Sequence, residues 1–270
     1  MSERTPRERN GRLAGLLREQ LNDMMAAAHG LGENLPRGSR EAEYLSVINR
    51  NLCRQLRVVR CLELEHRLSS EDEIRLTLAP VDLAAMCREL MDEVEGIVRP
   101  LGIKAKFETA PDELTVYADR ARLEDMILFL ISNSVKAMKQ GGELSLTLEK
   151  RSGKALFVLN DTGGGASPET LAEFFGEAEE ECDIPEEPSL GMGLALARKI
   201  AALHGGFVLA DSYEGRGMRL VVSICAELTG NGGELRTPRP EIREENWSRA
   251  VVELSEYLPA SFFAPKELFE

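Results

Sequence analysis

Apolar residues at alternating steps of four and three mark the first quarter of the chain. Leu17, Leu21, Met24, Ala28, Leu31 and Leu35 fall on one stripe of a helix predicted over residues 12–35, the narrow seam of a coiled coil or helical hairpin. Pro36, Arg37, Gly38 and Ser39 break it. A second helix, over residues 41–68, repeats the pattern with Leu45, Ile48, Leu52, Val59 and Leu62, while Arg50, Arg54, Arg57, Arg60 and Arg67 occupy its other faces. Two helices with one apolar stripe each cannot bury both stripes fully as a lone pair. The pattern therefore predicts either dimerisation into a four-helix bundle or a hairpin packed on the rest of its own chain.

After the polar run 69–73 the periodicity changes to mixed α and β. Residues 74–78 alternate as a strand, 81–98 have helical spacing, and 104–108 and 114–117 read as short strands. Asp119 is a good N-cap for a helix running to Met138. Gly141 and Gly142 turn into an alternating strand at 143–149, and 155–160 follow as a more continuously apolar one. Residues 189–206 then open a helix with Leu196, Ile200 and Leu203 on its buried face and close it on His204-Gly205-Gly206. Strands at 207–211 and 218–224 come last. Helices interspersed with mostly hairpin-connected strands predict an α+β fold, one mixed sheet covered by helices on one face. Residues 229–240 form a Gly- and Pro-bearing linker. A helix over residues 244–257 presents Trp247, Val251, Leu254 and Leu258, apolar groups that dock on the chain itself or on a partner. The expected domains are 1–70, 71–225 and a C-terminal extension at 226–270.

Composition narrows the function classes. The 270 residues carry a net charge of −13, which argues against a general binder of nucleic acid or anionic membrane. Five cysteines, odd in number and without a CxxC spacing, read as reduced thiols. No apolar run reaches spanning length and the first residues lack a signal-peptide core, so a cytoplasmic protein without a membrane span is expected.

Three stretches carry candidate chemistry. Asn133 and Lys136 share an edge of the helix from Asp119, one turn beyond Phe129; an amide and an amine there suit a divalent cation and a phosphate, or are a solvated edge. Asp161 ends a hydrophobic strand and is followed by Gly163, Gly164 and Gly165. A carboxylate so placed can accept from an exocyclic amine, with glycines leaving room for a flat ring, or it belongs to an ordinary Asp-containing turn. Gly191 and Gly193 open the last long helix, whose unpaired N–H groups make either a polyphosphate cradle or the end of a loop.

In order, NSVK on a helix, DTGGG after a strand and GMGLAL opening a helix that ends in HGG resemble the nucleotide site shared by gyrase, heat-shock chaperones, mismatch-repair proteins and sensor histidine kinases. The helix from Leu123, the HGG and the closing EGRGMRLVVSI look most like the histidine kinase branch. The resemblance covers residues 80–225, and the hairpin resembles that branch's dimerisation and phosphotransfer domain. It implies a histidine-kinase-type α/β sandwich that binds ATP and Mg²⁺. By it, Asp161 reads the adenine amine, Gly163 and Gly165 shape the pocket, Asn133 binds the metal, Lys136 faces the phosphates, and the backbone at Gly191, Gly193 and Leu194 holds them. It also implies a homodimer and a response regulator or other signalling protein as partner.

The departures shape the expected mechanism. The family's phosphoacceptor pattern, HELRTPL, falls on residues 19–25, where Glu19 stands in the histidine's place. His29 lies on the same helix but ten residues on, rotated by roughly 80°. Phe129 replaces a polar residue, Ser189 the first glycine of the run, and Met218 a late Thr or Ser. Where the family has its lid, residues 177–187 are an acidic run, read as a solvated loop. The resulting expectation is a two-component-type protein that binds Mg-ATP without phosphorylating itself. A kinase acting on a partner or on His29, and a nucleotide-independent adaptor for a response regulator, stand as alternatives.

Overall fold

The computed structural model describes residues 6–36, 38–69, 76–139, 141–167, 171, 192–212, 215–226 and 247–265. The chain divides into two compact units, one made of residues 1–74 with 241–270 and the other of residues 75–240.

The first unit is built on helices α1 (Pro6–Gly32) and α2 (Arg40–Ser69). Arg18 of α1 pairs with Glu63 of α2 at 3.0 Å, and Gly32 lies against Leu45, so the helices run antiparallel. The seam of α1 is rotated from the predicted one. Ala14, Leu21, Met25 and Ala28 are buried, whereas Leu17, Met24 and Leu31 are exposed. The physical reason is size: Ala14, Ala28 and Gly32, on the same face as the buried Leu21 and Met25, let α1 approach its neighbours closely. On α2, Leu45, Leu52 and Val59 are buried as expected, but Ile48 is exposed and Leu62 only half-buried.

Residues 247–265 explain why α2 buries so much more than one stripe. Helix α6 (Arg249–Leu254), capped by the Ser248 hydroxyl, and the 3₁₀ turn Ala260–Phe263 both pack on α2. Asn49 Nδ2 donates to the Phe263 carbonyl at 3.2 Å and the Arg54 guanidinium to the Glu256 carbonyl at 2.8 Å. Arg57, largely buried, pairs with Glu253 at 2.9 Å and Glu256 at 2.6 Å. Trp247 and Phe263 are both buried, their ring centroids 5.3 Å apart. The tail docks on its own chain, on a helix laid down about two hundred residues earlier.

The second unit holds a five-stranded sheet in the order β2-β4-β5-β7-β6. Its strands are β2 (Ile103–Thr109), β4 (Gly142–Arg151), β5 (Lys154–Asp161), β6 (Phe207–Ser212) and β7 (Met218–Cys225). Only β2 and β4 are parallel; the other neighbours are antiparallel. Leu144, Leu146 and Leu148 lie in phase with Ala155, Phe157 and Leu159, and these with Leu220, Val222 and Ile224, on one buried face, the period of two expected of a half-covered sheet. Helices α3 (Leu83–Val98), α4 (Arg120–Ala137) and α5 (Met192–Leu203) belong to the same unit, with α4 touching β5 and α5 touching β6 and β7.

Two expectations shift here. Of the strand anticipated at residues 74–78, residues 74 and 75 lie outside the described residues and 76–78 are irregular; the strand β1 follows at Ala79–Asp82. With β3 (Thr115–Ala118) it forms a separate antiparallel ribbon rather than joining the main sheet. Asp82 draws that ribbon and α3 together: its side chain accepts from the N–H groups of Ala84, Ala85 and Leu114. Such a cap fixes the helix start and so ends the strand. Among the described residues no cysteine is in a disulfide, and Cys53, Cys61 and Cys87 are buried thiols. The Cys87 thiol is pushed up to about 12 by burial and by the nearby charges of Asp82 and Glu124, which leaves it unreactive.

Trp247 is the only tryptophan, so its emission reports tail docking directly. Phe263→Ala should cost about 3–5 kcal/mol in the first unit, the usual penalty for emptying a buried phenyl site. It should also red-shift Trp247 fluorescence while leaving the second unit's melting transition in place.

Candidate functional site

Helix α4 is where the predicted site residues meet. It starts at Asp119, whose side chain accepts from the Arg122 N–H at 3.2 Å and the Thr77 N–H at 3.0 Å. Eleven of its residues, from Leu123 to Val135, are buried. Its last two turns carry Asn133 and Lys136, both half-buried.

Asp161 is the last residue of β5 and shares the phase of Ala155, Phe157 and Leu159, so its carboxylate lies on the covered face of the sheet. It is 6% exposed. The Ser134 hydroxyl donates to Oδ2 at 2.7 Å, and the backbone N–H groups of Gly163 and Met218 donate to Oδ1 at 2.9 and 3.3 Å. A carboxylate offers about four acceptor positions. Among the described residues Oδ1 is therefore full, and Oδ2 keeps one position open.

The glycines meet different demands. At Gly163 an added Cβ would come within 2.8 Å of the Ala137 Cβ and 3.0 Å of Asp161 Oδ1, so this residue is small because α4 presses on the turn. Gly164 faces open space, and Gly165 has the left-handed φ of 68° that glycine adopts without steric cost. Gly193, in the first turn of α5, lies over Phe129, where a methyl group would sit at an ordinary 3.5 Å. Leu194 follows it as a buried residue. Phe129 is thus the floor on which the start of α5 rests, and is itself 5% exposed. Through Ser134, Ala137 and Phe129, α4 touches the elements bearing Asp161, Gly163 and Gly193. Gly191, Ser189 and the acidic run 177–187 lie outside the described residues.

Sequence reasoning missed the supports. Along the sequence Ser134 and Ala137 share a helical stripe with Leu123, Ile127 and Leu130, which makes them indistinguishable from sheet-packing positions. The turn between β6 and β7 braces the loop after Asp161: Ser212 Oγ accepts from the Ala166 N–H at 2.8 Å, and the Gly215 N–H donates to the Gly164 carbonyl at 2.7 Å. Gly217, with φ of 88°, passes so close to the Asp161 carbonyl that a Cβ would lie 1.9 Å from it. Two glycines bounding a short turn between strands were the available signal.

His204 aligns the two helices from the other end. Its Nε2 accepts from the Asp119 N–H at 3.1 Å, so Nδ1 carries the proton and donates to the Ile200 carbonyl at 2.8 Å. The end of α5 is thereby joined to the start of α4. Burial lowers the imidazole below its ordinary value and outweighs the opposing effects of the Ile200 carbonyl and Asp119.

Residues 118–228 match the sequence profile of the histidine kinase-, DNA gyrase B- and HSP90-like ATPases. This domain is a histidine kinase-like ATPase. Its likeness extends to the histidine protein kinase DivJ of Caulobacter vibrioides, 32% identical over 173 residues that make up 61% of this chain and 29% of that protein. In solved structures the histidine kinase-like architecture recurs in full-length ShkA in complex with AMPPNP, with a TM-score of 0.66 at 24% identity over 83% of this chain and 47% of that one. It recurs also in ThkA in complex with the response regulator TrrA, with a TM-score of 0.53 at 22% identity over 80% and 62%. The chain spans less than half the length of the curated relatives it matches. Among the described residues, no helix is long and apolar enough to cross a membrane.

The ATPase domain should be pH-sensitive through His204. With its folded value below the ordinary 6.5, the unfolded chain takes up the proton first as pH falls. Stability is full above about pH 6.5 and declines below it, toward the lowered value. Melting temperatures of wild type and His204→Gln should differ most at pH 7.5, and the difference should narrow as pH falls below about 6.5.

Proposed function

We propose that this chain is a two-component-type signalling protein whose second unit binds Mg-ATP and whose helix α1 carries no phosphoacceptor histidine. The observation that carries the nucleotide reading is the acceptor position on Asp161 Oδ2 that no donor among the described residues takes, on a carboxylate otherwise fixed by three donors. That position matches one N–H of the adenine amino group, and the histidine kinase-like profile of residues 118–228 supports it.

In this reading Gly163 and Gly165 form the wall beside the base. Lys136 faces the phosphates, and backbone N–H groups at Gly191, Gly193 and Leu194 hold them at the start of α5, where a helix N-terminus favours anions. Asn133 offers the metal one neutral oxygen. Among the described residues no group of three or more His, Cys, Asp or Glu side chains could hold a cation. The donor set fits a Mg²⁺ that arrives on the nucleotide and keeps phosphate oxygens and water as its other ligands. ATP supplies a transferable γ-phosphoryl group when bound.

Glu19 is exposed on α1 and presents a carboxylate where the family pattern has a nitrogen nucleophile. His29, further along the helix, lies 3.7 Å from Glu33. Nucleotide then acts as a conformational ligand, shifting the chain between states by its differential affinity for them. The hairpin unit supplies dimerisation. Leu13, Leu17, Met24 and Leu31 of α1 and Tyr44, Ile48 and Val58 of α2 are exposed at helical spacing, a pattern suited to a second copy of the same hairpin. A response regulator, as in the ThkA complex, is the class of partner proposed, in the cytoplasm.

Asp161→Ala should abolish ATP binding in a titration without dissociating the dimer; near-native affinity would refute the pocket. Gly193→Ala should hold or raise the melting temperature, since alanine favours a helix by up to about 1 kcal/mol over glycine, yet weaken ATP binding. Incubation of wild type with γ-labelled ATP should leave the protein unlabelled, and label retained on the hairpin would overturn the absent acceptor. Leu17→Glu with Leu31→Glu should give a monomer by light scattering.

A further inference from the structure

The structure assigns to Ser134 the positioning of the nucleotide-reading carboxylate, a role that rests on the adenine pocket proposed above and deepens it. Ser134 is 2% exposed, and its hydroxyl donates to Oδ2 of Asp161, the same oxygen that keeps an open acceptor position. The other two donors are backbone N–H groups, both on Oδ1. They hold one oxygen and leave the carboxylate free to pivot about it. Ser134 is the side chain that stops the pivot.

The register of the sheet shows how unusual this support is. Asp161 pairs with Met218 across β5 and β7, and directly paired residues project to the same face. The side chain best placed on the sheet to bond Asp161 is thus a thioether, which is at most a weak acceptor and donates nothing. The hydroxyl comes from the helix layer instead. A hydrogen bond from a neutral donor to a buried charged acceptor is among the stronger kinds, and it couples the pitch of α4 to the orientation of Asp161. Ser134 touches no ligand in this scheme and acts only through Asp161.

The test compares ATP with inosine triphosphate, which has a carbonyl where adenine has its amino group. Wild type should prefer ATP. Ser134→Ala should weaken ATP binding on the order of tenfold while changing inosine triphosphate binding less than twofold, so that the preference collapses. Adding Met218→Thr to Ser134→Ala moves a hydroxyl onto the paired sheet position and should restore the preference. Circular dichroism melts confirm that each variant is folded. A preference unchanged in Ser134→Ala overturns the assignment, as does an equal loss for both nucleotides, which marks a general structural role. Failure of wild type to bind ATP overturns the pocket itself, and is distinguishable because it appears before any substitution is made.

Discussion

The burial of α4 is the constraint on which the rest of the ATPase domain depends. A helix covered on nearly every side cannot rotate or slide without breaking apolar contacts worth about 1.5–3 kcal/mol for each large side chain. Every polar group it carries is therefore held at a set height and angle. Asn133, Ser134 and Lys136 gain their geometry from that packing, and Asp161, Gly163 and Gly193 are arranged against it. His204 fixes the opposite end, so α4 and α5 are aligned by a hydrogen bond at one end and by Phe129 beneath Gly193 at the other.

Much of this was legible in the chain. The alternation at 143–149, the continuously apolar run at 155–160 and the strand read at 218–224 placed β4, β5 and β7 to within a residue or two, and the two-residue phase from Ala155 reaches Asp161, which accounts for its burial. Asp119 was readable as a cap because its short side chain suits a helix start. The seam of α1 was not readable, because that helix has two apolar faces and hydrophobicity alone does not rank them. The small residues Ala14, Ala28 and Gly32 decide which one faces inward. The partnership of Ser134 with Asp161 was equally hidden, since a serine amid apolar neighbours looks like an ordinary packing position until the strand is laid beneath it.

The departures from the family pattern take on physical content in the fold. Phe129, which looked like a lost polar group, is a buried support for the start of α5. Gly163, expected to make room for a base, is required first by Ala137. Gly193 is under no such steric demand from the protein, since a methyl group there would meet only ordinary contact with Phe129. Two glycines in one candidate site thus answer to different causes, and spacing alone does not separate them.

The docked tail has a consequence for how the chain is made. Phe263 and the Asn49 that holds it are separated by 214 positions, with the whole ATPase domain encoded between them. A chain emerging from the ribosome presents α2 long before the residues that cover it exist, while the ATPase domain can close on neighbours of its own. The hairpin is thus synthesised before the ATPase domain and completed after it. During that interval the α2 face awaiting Trp247 and Phe263 is the surface most open to a chaperone or to another nascent copy.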